Sequence, residues 1–297
     1  MSTPLAAPLT PEQITRQAGS NFSVSFLFLD RPRRQALTAI YAFCRVIDNA
    51  VDDARGDAAA REALAFWERE LELAYTADDA QRLETKVGLG LREAVCGYGV
   101  RREDLQEILA GVAMDLDPVD YETVADLEGY CLKVASAVGL ACLPILGADR
   151  DRDQAYARHL GMALQFTNIL RDLRTDAQQG RVYVPRELRS AAGIADADGR
   201  NWLAGTGPRS AYEQGGPVAR LVDRMADLAD VHFSKSKSLL PNPTVPGLLV
   251  AEVMAAVYVD LLQRVRARGG NLLASAPQVP GWRKLYLALR TRLRGNR

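Results

Sequence analysis

Apolar residues recur along this chain at intervals of three and four, the spacing of a helix with one buried face. Thr10-Pro11-Glu12-Gln13 reads as a helix start, with Thr as cap, Pro at the first position and Gln13 closing a capping box. Pro32 opens a long helix through Ala36, Leu37, Ile40, Tyr41, Cys44 and Ile47. Further helical patterns cover residues 59–75, 80–98, 101–115, 124–146, 151–176, 219–240 and 248–268. Alternating β-branched runs with hairpin turns are missing throughout, so the pattern predicts an all-α fold. Residues 191–217, rich in Gly and Pro, are expected to form one long loop with a short helix near Trp202.

Two of these helices end in acidic clusters that no solvated face explains. The first is Arg45-Val46-Ile47-Asp48-Asn49-Ala50-Val51-Asp52-Asp53, and the second is Asn168-Ile169-Leu170-Arg171-Asp172-Leu173-Arg174-Thr175-Asp176. Residues four apart on a helix share a face, at roughly 6 Å. Asp48 and Asp52 therefore aim two carboxylates at one spot, and Asp172 and Asp176 do the same. The residues leading into each cluster are too apolar for a solvated helix, and acidic groups at the end of a buried helix want a ligand. Oxygen-only donors suit a hard cation such as Mg²⁺, which completes its shell with water and substrate phosphates. Arg45 and Arg171 beside the pairs suit phosphate oxygens. The pattern thus predicts a diphosphate held between two helices by magnesium.

Composition narrows the alternatives. The chain has 297 residues; length alone favours two domains, whereas the unbroken helical pattern favours one spanning 1–297. Basic and acidic residues balance at 37 each, so nucleic acid is not an expected partner. Cys44, Cys96, Cys131 and Cys142 show no CxxC pairing and read as reduced residues of a cytoplasmic protein. His159 and His232 alone offer little for a His-based zinc site or a catalytic triad. His159 is expected on a helix surface and His232 partly buried. Residues 1–18 form an N-terminal segment without the pattern of a signal peptide. No run reaches the ~18 apolar residues of a membrane span. The tail, residues 282–297, sets Trp282, Leu285, Tyr286, Leu289 and Leu293 among basic residues. It reads first as a solvated helix with its apolar face packed on the body, and second as a peripheral contact with the inner face of a membrane.

Residues 41–53 resemble the first aspartate-rich motif of the squalene/phytoene synthase family. Gln165-Phe166-Thr167-Asn168-Ile169-Leu170-Arg171-Asp172, followed by Asp176 and Gly180-Arg181-Val182-Tyr183-Val184-Pro185, resembles its second. Residues 130–139 resemble the family's central pocket helix. The resemblance implies a single isoprenoid-synthase helical bundle around a prenyl-chain cavity. It implies that Asp48 and Asp52 hold Mg²⁺ from one helix and Asn168, Asp172 and Asp176 from the other, with these aspartates and Tyr41 as the catalytic set. Arg45 and Arg171 would grip diphosphate, while Gln165, Tyr130, Val134, Phe22 and Tyr258 would line the substrate pocket. Ala135, Ala137, Gly139 and Ala163 would leave room for the chain.

The likeness is strongest to members that join two farnesyl diphosphates into presqualene diphosphate in bacterial hopanoid synthesis. NADPH is not expected, because the sequence stops short of the C-terminal extension of eukaryotic squalene synthases. Neighbouring pathway enzymes are expected partners. Phytoene or dehydrosqualene synthesis, NADPH-dependent squalene synthesis, and a non-catalytic assembly factor are the alternatives. Four positions depart from the family pattern: Asn21, Asp30, Asn49 and Ala256. Asp115 and Asp117 are expected to end a helix near the pocket.

Overall fold

The computed structural model describes residues 9–17, 25–76, 80–117, 120–240, 245–272 and 274–295. Fourteen α-helices are present among them: α1 (Pro11–Gln17), α2 (Arg31–Asp52), α3 (Asp57–Thr76), α4 (Lys86–Tyr98), α5 (Arg102–Ala113), α6 (Val124–Cys131), α7 (Ala137–Leu146), α8 (Gln154–Gln178), α9 (Arg186–Ala191), α10 (Asp196–Leu203), α11 (Arg209–Tyr212), α12 (Pro217–Ser238), α13 (Leu249–Arg268) and α14 (Gly281–Gly295). The described residues contain no strand, only one isolated bridge between Asp120 and Val182. The all-α expectation holds.

Local chemistry sets the starts of these helices. Thr10 and Gln13 close the expected box: the Thr10 amide donates to Gln13 Oε1 and the Gln13 amide to Thr10 Oγ1. Asp30, a departure from the family pattern, caps α2 by accepting from the Arg33 amide at 2.9 Å. The single helix expected over 80–98 starts later, because Thr85 caps α4 through the Gly88 amide and a short 3₁₀ turn precedes it. Two short helices, α10 around Trp202 and α11, break the long loop expected over 191–217.

The helix expected over 124–146 is not uniform. Residues Leu132–Ser136 form a π-helical turn between α6 and α7, the local widening that often marks functional sites. The stretch Val124–Leu146 is long and apolar enough to cross a membrane by length and composition, which the residue-run criterion misses. Half of its apolar window is buried, and its central turn packs against α5 and α8 as a core element.

Helix α8 is the axis of the molecule. It packs most extensively on α12 and also meets α7, α13 and the π turn. Leu160, Ala163, Phe166 and Leu170 are buried along it. Its approach to the π turn needs Gly161: a Cβ there would lie 2.6 Å from Ser136 Cα. Gly111 on α5 is equally tight, since its Cβ would lie 2.7 Å from side-chain atoms of Lys133 and Val134. Small residues therefore set how closely these helices approach. Ala137 and Ala163, expected to leave room for substrate, are instead buried in contacts between helices. Behind α2, Phe43 meets Trp67 edge-on at 6.4 Å, bracing the helix that carries the first acidic cluster.

The C-terminal helix departs from the first expectation. Trp282, Leu285, Tyr286, Leu289 and Leu293 are all exposed, and α14 packs on α13 through Leu287 and Ala288 instead. His159 is half-buried rather than on the surface: its Nδ1 lies 3.0 Å from Nδ1 of buried His232, whose Nε2 lies 3.3 Å from Glu128.

Candidate active site

Helices α2, α8 and α13, the π turn and the segment before α14 enclose a cavity of about 570 Å³. Tyr41, Arg45, Asp48, Asp52, Tyr130, Val134, Gln165, Asn168, Arg171, Asp172, Asp176 and Tyr258 all line it. These are twelve residues singled out from the sequence; Phe22, like Asn21, lies outside the described residues. The two acidic clusters, far apart in sequence, thus share one space. Asn49 and Ala256 are half-buried, and neither belongs to its lining.

Burial and crowding strain the charges here. Burial, with the neighbouring charges of Asp52 and Asp115, raises Asp48 from 3.8 to about 7 against the pull of Arg45. Burial, with Asp172 and Asp115, raises Asp176 from 3.8 to about 7 against the pull of Arg181. Arg171 forks onto Asp172 at 2.5–3.1 Å. Arg181 reaches Asp52 at 2.8 Å and so ties the end of the second motif to the end of the first.

The donor set fits a hard cation. Asn168 Oδ1, one turn before Asp172, is buried without a hydrogen-bond partner among the described residues, and a buried carbonyl oxygen in that state is poised to accept a ligand. Among the described residues no three acidic, His or Cys side chains converge on one point. Two carboxylates on each helix are part of a coordination shell, of the kind Mg²⁺ completes with water and phosphate oxygens.

Several lining residues carried no role in the sequence reading. Arg181 and Tyr183 stood inside the second motif without an assignment, and Lys284 stood in the tail. The bridge between Asp120 and Val182 brings Arg181 and Tyr183 to the cavity. Buried Arg189 and half-exposed Arg186 pair with Asp120 and hold that segment in place. Gly180 makes the reversal after α8 with φ +92°, a conformation glycine alone adopts readily. Asp115, expected only near the pocket, lines it and accepts hydrogen bonds from Tyr130 at 3.0 Å and Tyr183 at 2.8 Å. The Tyr130 and Tyr183 rings stack at 5.2 Å. Burial pushes Asp115 above the usual carboxylate range, against those two hydrogen bonds. Asp117 is exposed and pairs with Arg61 at 3.4 Å. No local spacing signals the role of Arg181, whose ion-pair partner Asp52 lies on α2, or that of Lys284 in a remote helix.

Comparison with known proteins agrees with this geometry. Residues 15–283 match the squalene/phytoene synthase family model. The chain is 34% identical to a presqualene diphosphate synthase of Zymomonas mobilis over 84% of this chain and 81% of that one. It is 32% identical to a presqualene diphosphate synthase of Rhodopseudomonas palustris, over 91% and 92% respectively. A crystal structure of a dehydrosqualene synthase superimposes with a TM-score of 0.81 at 26% identity, over 96% of this chain and 94% of that one. With its two acidic clusters lining one cavity and a family match over nearly its whole length, the chain belongs to the squalene/phytoene synthases, a family of prenyltransferases.

Proposed function

We propose that this protein condenses two farnesyl diphosphates head to head into presqualene diphosphate, releasing one diphosphate and one proton. The observation that carries this reading is the convergence of both acidic clusters, with Arg45, Arg171 and Arg181, on one cavity. The likeness to the two presqualene diphosphate synthases selects the product.

Asp48 and Asp52 on α2, with Asn168, Asp172 and Asp176 on α8, are the residues that would hold magnesium. Magnesium supplies positive charge that stabilises diphosphate as it departs. Arg45, Arg171 and Arg181 orient the diphosphates through charge-assisted hydrogen bonds. Lys284 adds a further cation on the cavity wall; burial and Arg171 lower its pKa, so a diphosphate favours its charged form.

The allylic C–O bond of one substrate breaks, and its electron pair leaves with diphosphate. The remaining carbocation needs a dry wall, which Val134, Ile169 and Leu261 supply. Tyr41 and Tyr258 also line the cavity, and an aromatic face there favours positive charge, whereas the Tyr130 ring is stacked on Tyr183. Burial raises the Tyr130 phenol far above its ordinary range, so it stays neutral and hydrogen-bonded to Asp115. The double bond of the second substrate then forms the new carbon–carbon bond, and loss of a proton closes the cyclopropane. The released diphosphate is the base in this reading, because neither histidine lines the cavity.

Dehydrosqualene or phytoene synthesis on the same site is the second reading, favoured by the fold likeness to a dehydrosqualene synthase. Incubation with farnesyl diphosphate and Mg²⁺, with and without NADPH, followed by phosphatase and mass spectrometry, decides between them. Presqualene alcohol unchanged by NADPH is the expected product. Squalene formed with NADPH, dehydrosqualene formed without it, or turnover of geranylgeranyl diphosphate alone in a parallel incubation would each replace the proposal.

A further inference from the structure

Helix α14 presents its apolar stripe to solvent, not to the protein. Trp282 and Leu293 are 70% exposed, and Leu285, Tyr286 and Leu289 are 48–49% exposed. At 100° per residue these five positions fall within one arc of about 100°. Leu287 and Ala288, on the opposite side, are the buried contacts with the body. Elsewhere among the described residues, large exposed apolar side chains occur only singly, as Leu89, Leu132, Val231 and Leu239. The stripe is therefore a patch, which soluble monomers seldom leave uncovered.

Charge identifies what covers it. The helix carries Arg283, Lys284, Arg290, Arg292 and Arg294 and no acidic residue. On the same helical projection Arg292 borders one edge of the stripe, and Arg290, Arg283 and Arg294 border the other. Arg283 donates to Asp260 at 2.9 Å and lies over the Tyr286 ring, and Arg292 lies over the Phe28 ring. Arg290 and Arg294 are exposed and form no ion pair among the described residues. An apolar stripe flanked by arginines is the arrangement of a helix lying in the plane of an anionic bilayer. A second copy of the chain fits poorly, since pairing two such helices would oppose five cations with five and offer no carboxylate between them.

From these observations we infer that the outer face of α14 docks on an anionic lipid surface, with Trp282, Leu285, Leu289 and Leu293 in the headgroup boundary and the arginines on lipid phosphates. Lys284, on the same helix, and Val279, just before it, line the cavity. Docking therefore sets the cavity beside the bilayer, where a product with two long hydrocarbon chains is soluble. The inference rests on the exposed face and its charge, and it stands whichever prenyl product the cavity forms.

The test is co-sedimentation of the full chain with vesicles of phosphatidylcholine alone, or with about a third phosphatidylglycerol. Binding is expected only to the anionic vesicles and is expected to weaken as salt rises. Leu289→Asp combined with Leu293→Asp is expected to abolish sedimentation while leaving turnover of detergent-dispersed substrate unchanged. Arg290→Gln with Arg294→Gln is expected to weaken binding by at least about tenfold. Equal binding by the Leu289→Asp/Leu293→Asp variant, or no binding to either vesicle, overturns the inference. A dimer in light scattering that this variant dissolves would assign the face to a second copy and overturn it as well.

Discussion

Asp48 and Asp176 are the residues where burial and charge conflict most. Each is raised from 3.8 to about 7 by burial, with neighbouring carboxylates adding to the shift. Below the unfolded value both states are protonated. Between 3.8 and about 7 the folded chain keeps protons that the unfolded chain has lost, so rising pH favours unfolding. Their stabilising contribution is thus complete at acid pH and gone above about 7. His159 and His232 are lowered by burial and act in the opposite sense, so the effect is read by difference. In EDTA, urea midpoints of wild type minus those of Asp48→Asn should fall as pH rises across that window; a flat difference would show that Asp48 is not strained. At pH 8 the same substitution should stabilise the metal-free chain yet lower kcat by on the order of 100-fold or more; Asp172→Asn should lower kcat to a similar extent. Retained turnover in either variant would sink the assignment of the two clusters to diphosphate departure. Both clusters were legible in the sequence, because an acidic pair on one helix face is a local pattern. Asp115 was only half legible: its hydrogen bonds to Tyr130 and Tyr183 span 15 and 68 residues, and no local spacing encodes them.

At the scale of elements, the amphipathic period located the helices and a capping box marked the start of α1, but neither shows where helices break and how they meet. The π turn at Leu132–Ser136 interrupts an unbroken apolar pattern, because a register change costs no polarity and leaves no mark in composition. It places Val134 on the cavity while Gly111 and Gly161 let α5 and α8 close on the same turn. Gly161→Ala should cost about 1–3 kcal/mol, because its Cβ meets backbone atoms of Ser136 at 2.6–2.7 Å and backbone cannot rotate away. Chemical denaturation measures this. Gly97→Ala, with nothing within 4 Å of its Cβ and a helical position, should be neutral or slightly stabilising. Equal costs at the two sites would show that close approach is not what Gly161 provides. The outward-facing stripe of the tail has a related cause. Periodicity reports that a helix has an apolar face, while the side on which the protein packs is decided by its neighbours. Here Leu287 and Ala288 took that side.

At the scale of the whole molecule, the cavity joins helices that begin more than a hundred residues apart in sequence, α2 and α8, and Arg181 already spans them through Asp52. A ligand that bridges both clusters should therefore act cooperatively. Inorganic diphosphate together with Mg²⁺ should raise the melting temperature by about 4 °C at 100 times the dissociation constant. Either alone should do far less, and additive shifts in differential scanning fluorimetry would argue against a shared site. By itself the sequence determined the all-α class, the helix positions and the two acidic stripes, since each follows from spacing within one helix. It also carried the family likeness, through motifs that are contiguous in the chain. Only the tertiary structure decided that Arg181, Tyr183, Asp115 and Lys284 join the site, that α14 turns its apolar stripe outward, and that Ala137 and Ala163 serve packing. Those outcomes depend on contacts between residues distant in the chain, where burial and electrostatics are set by three-dimensional neighbours rather than by sequence spacing.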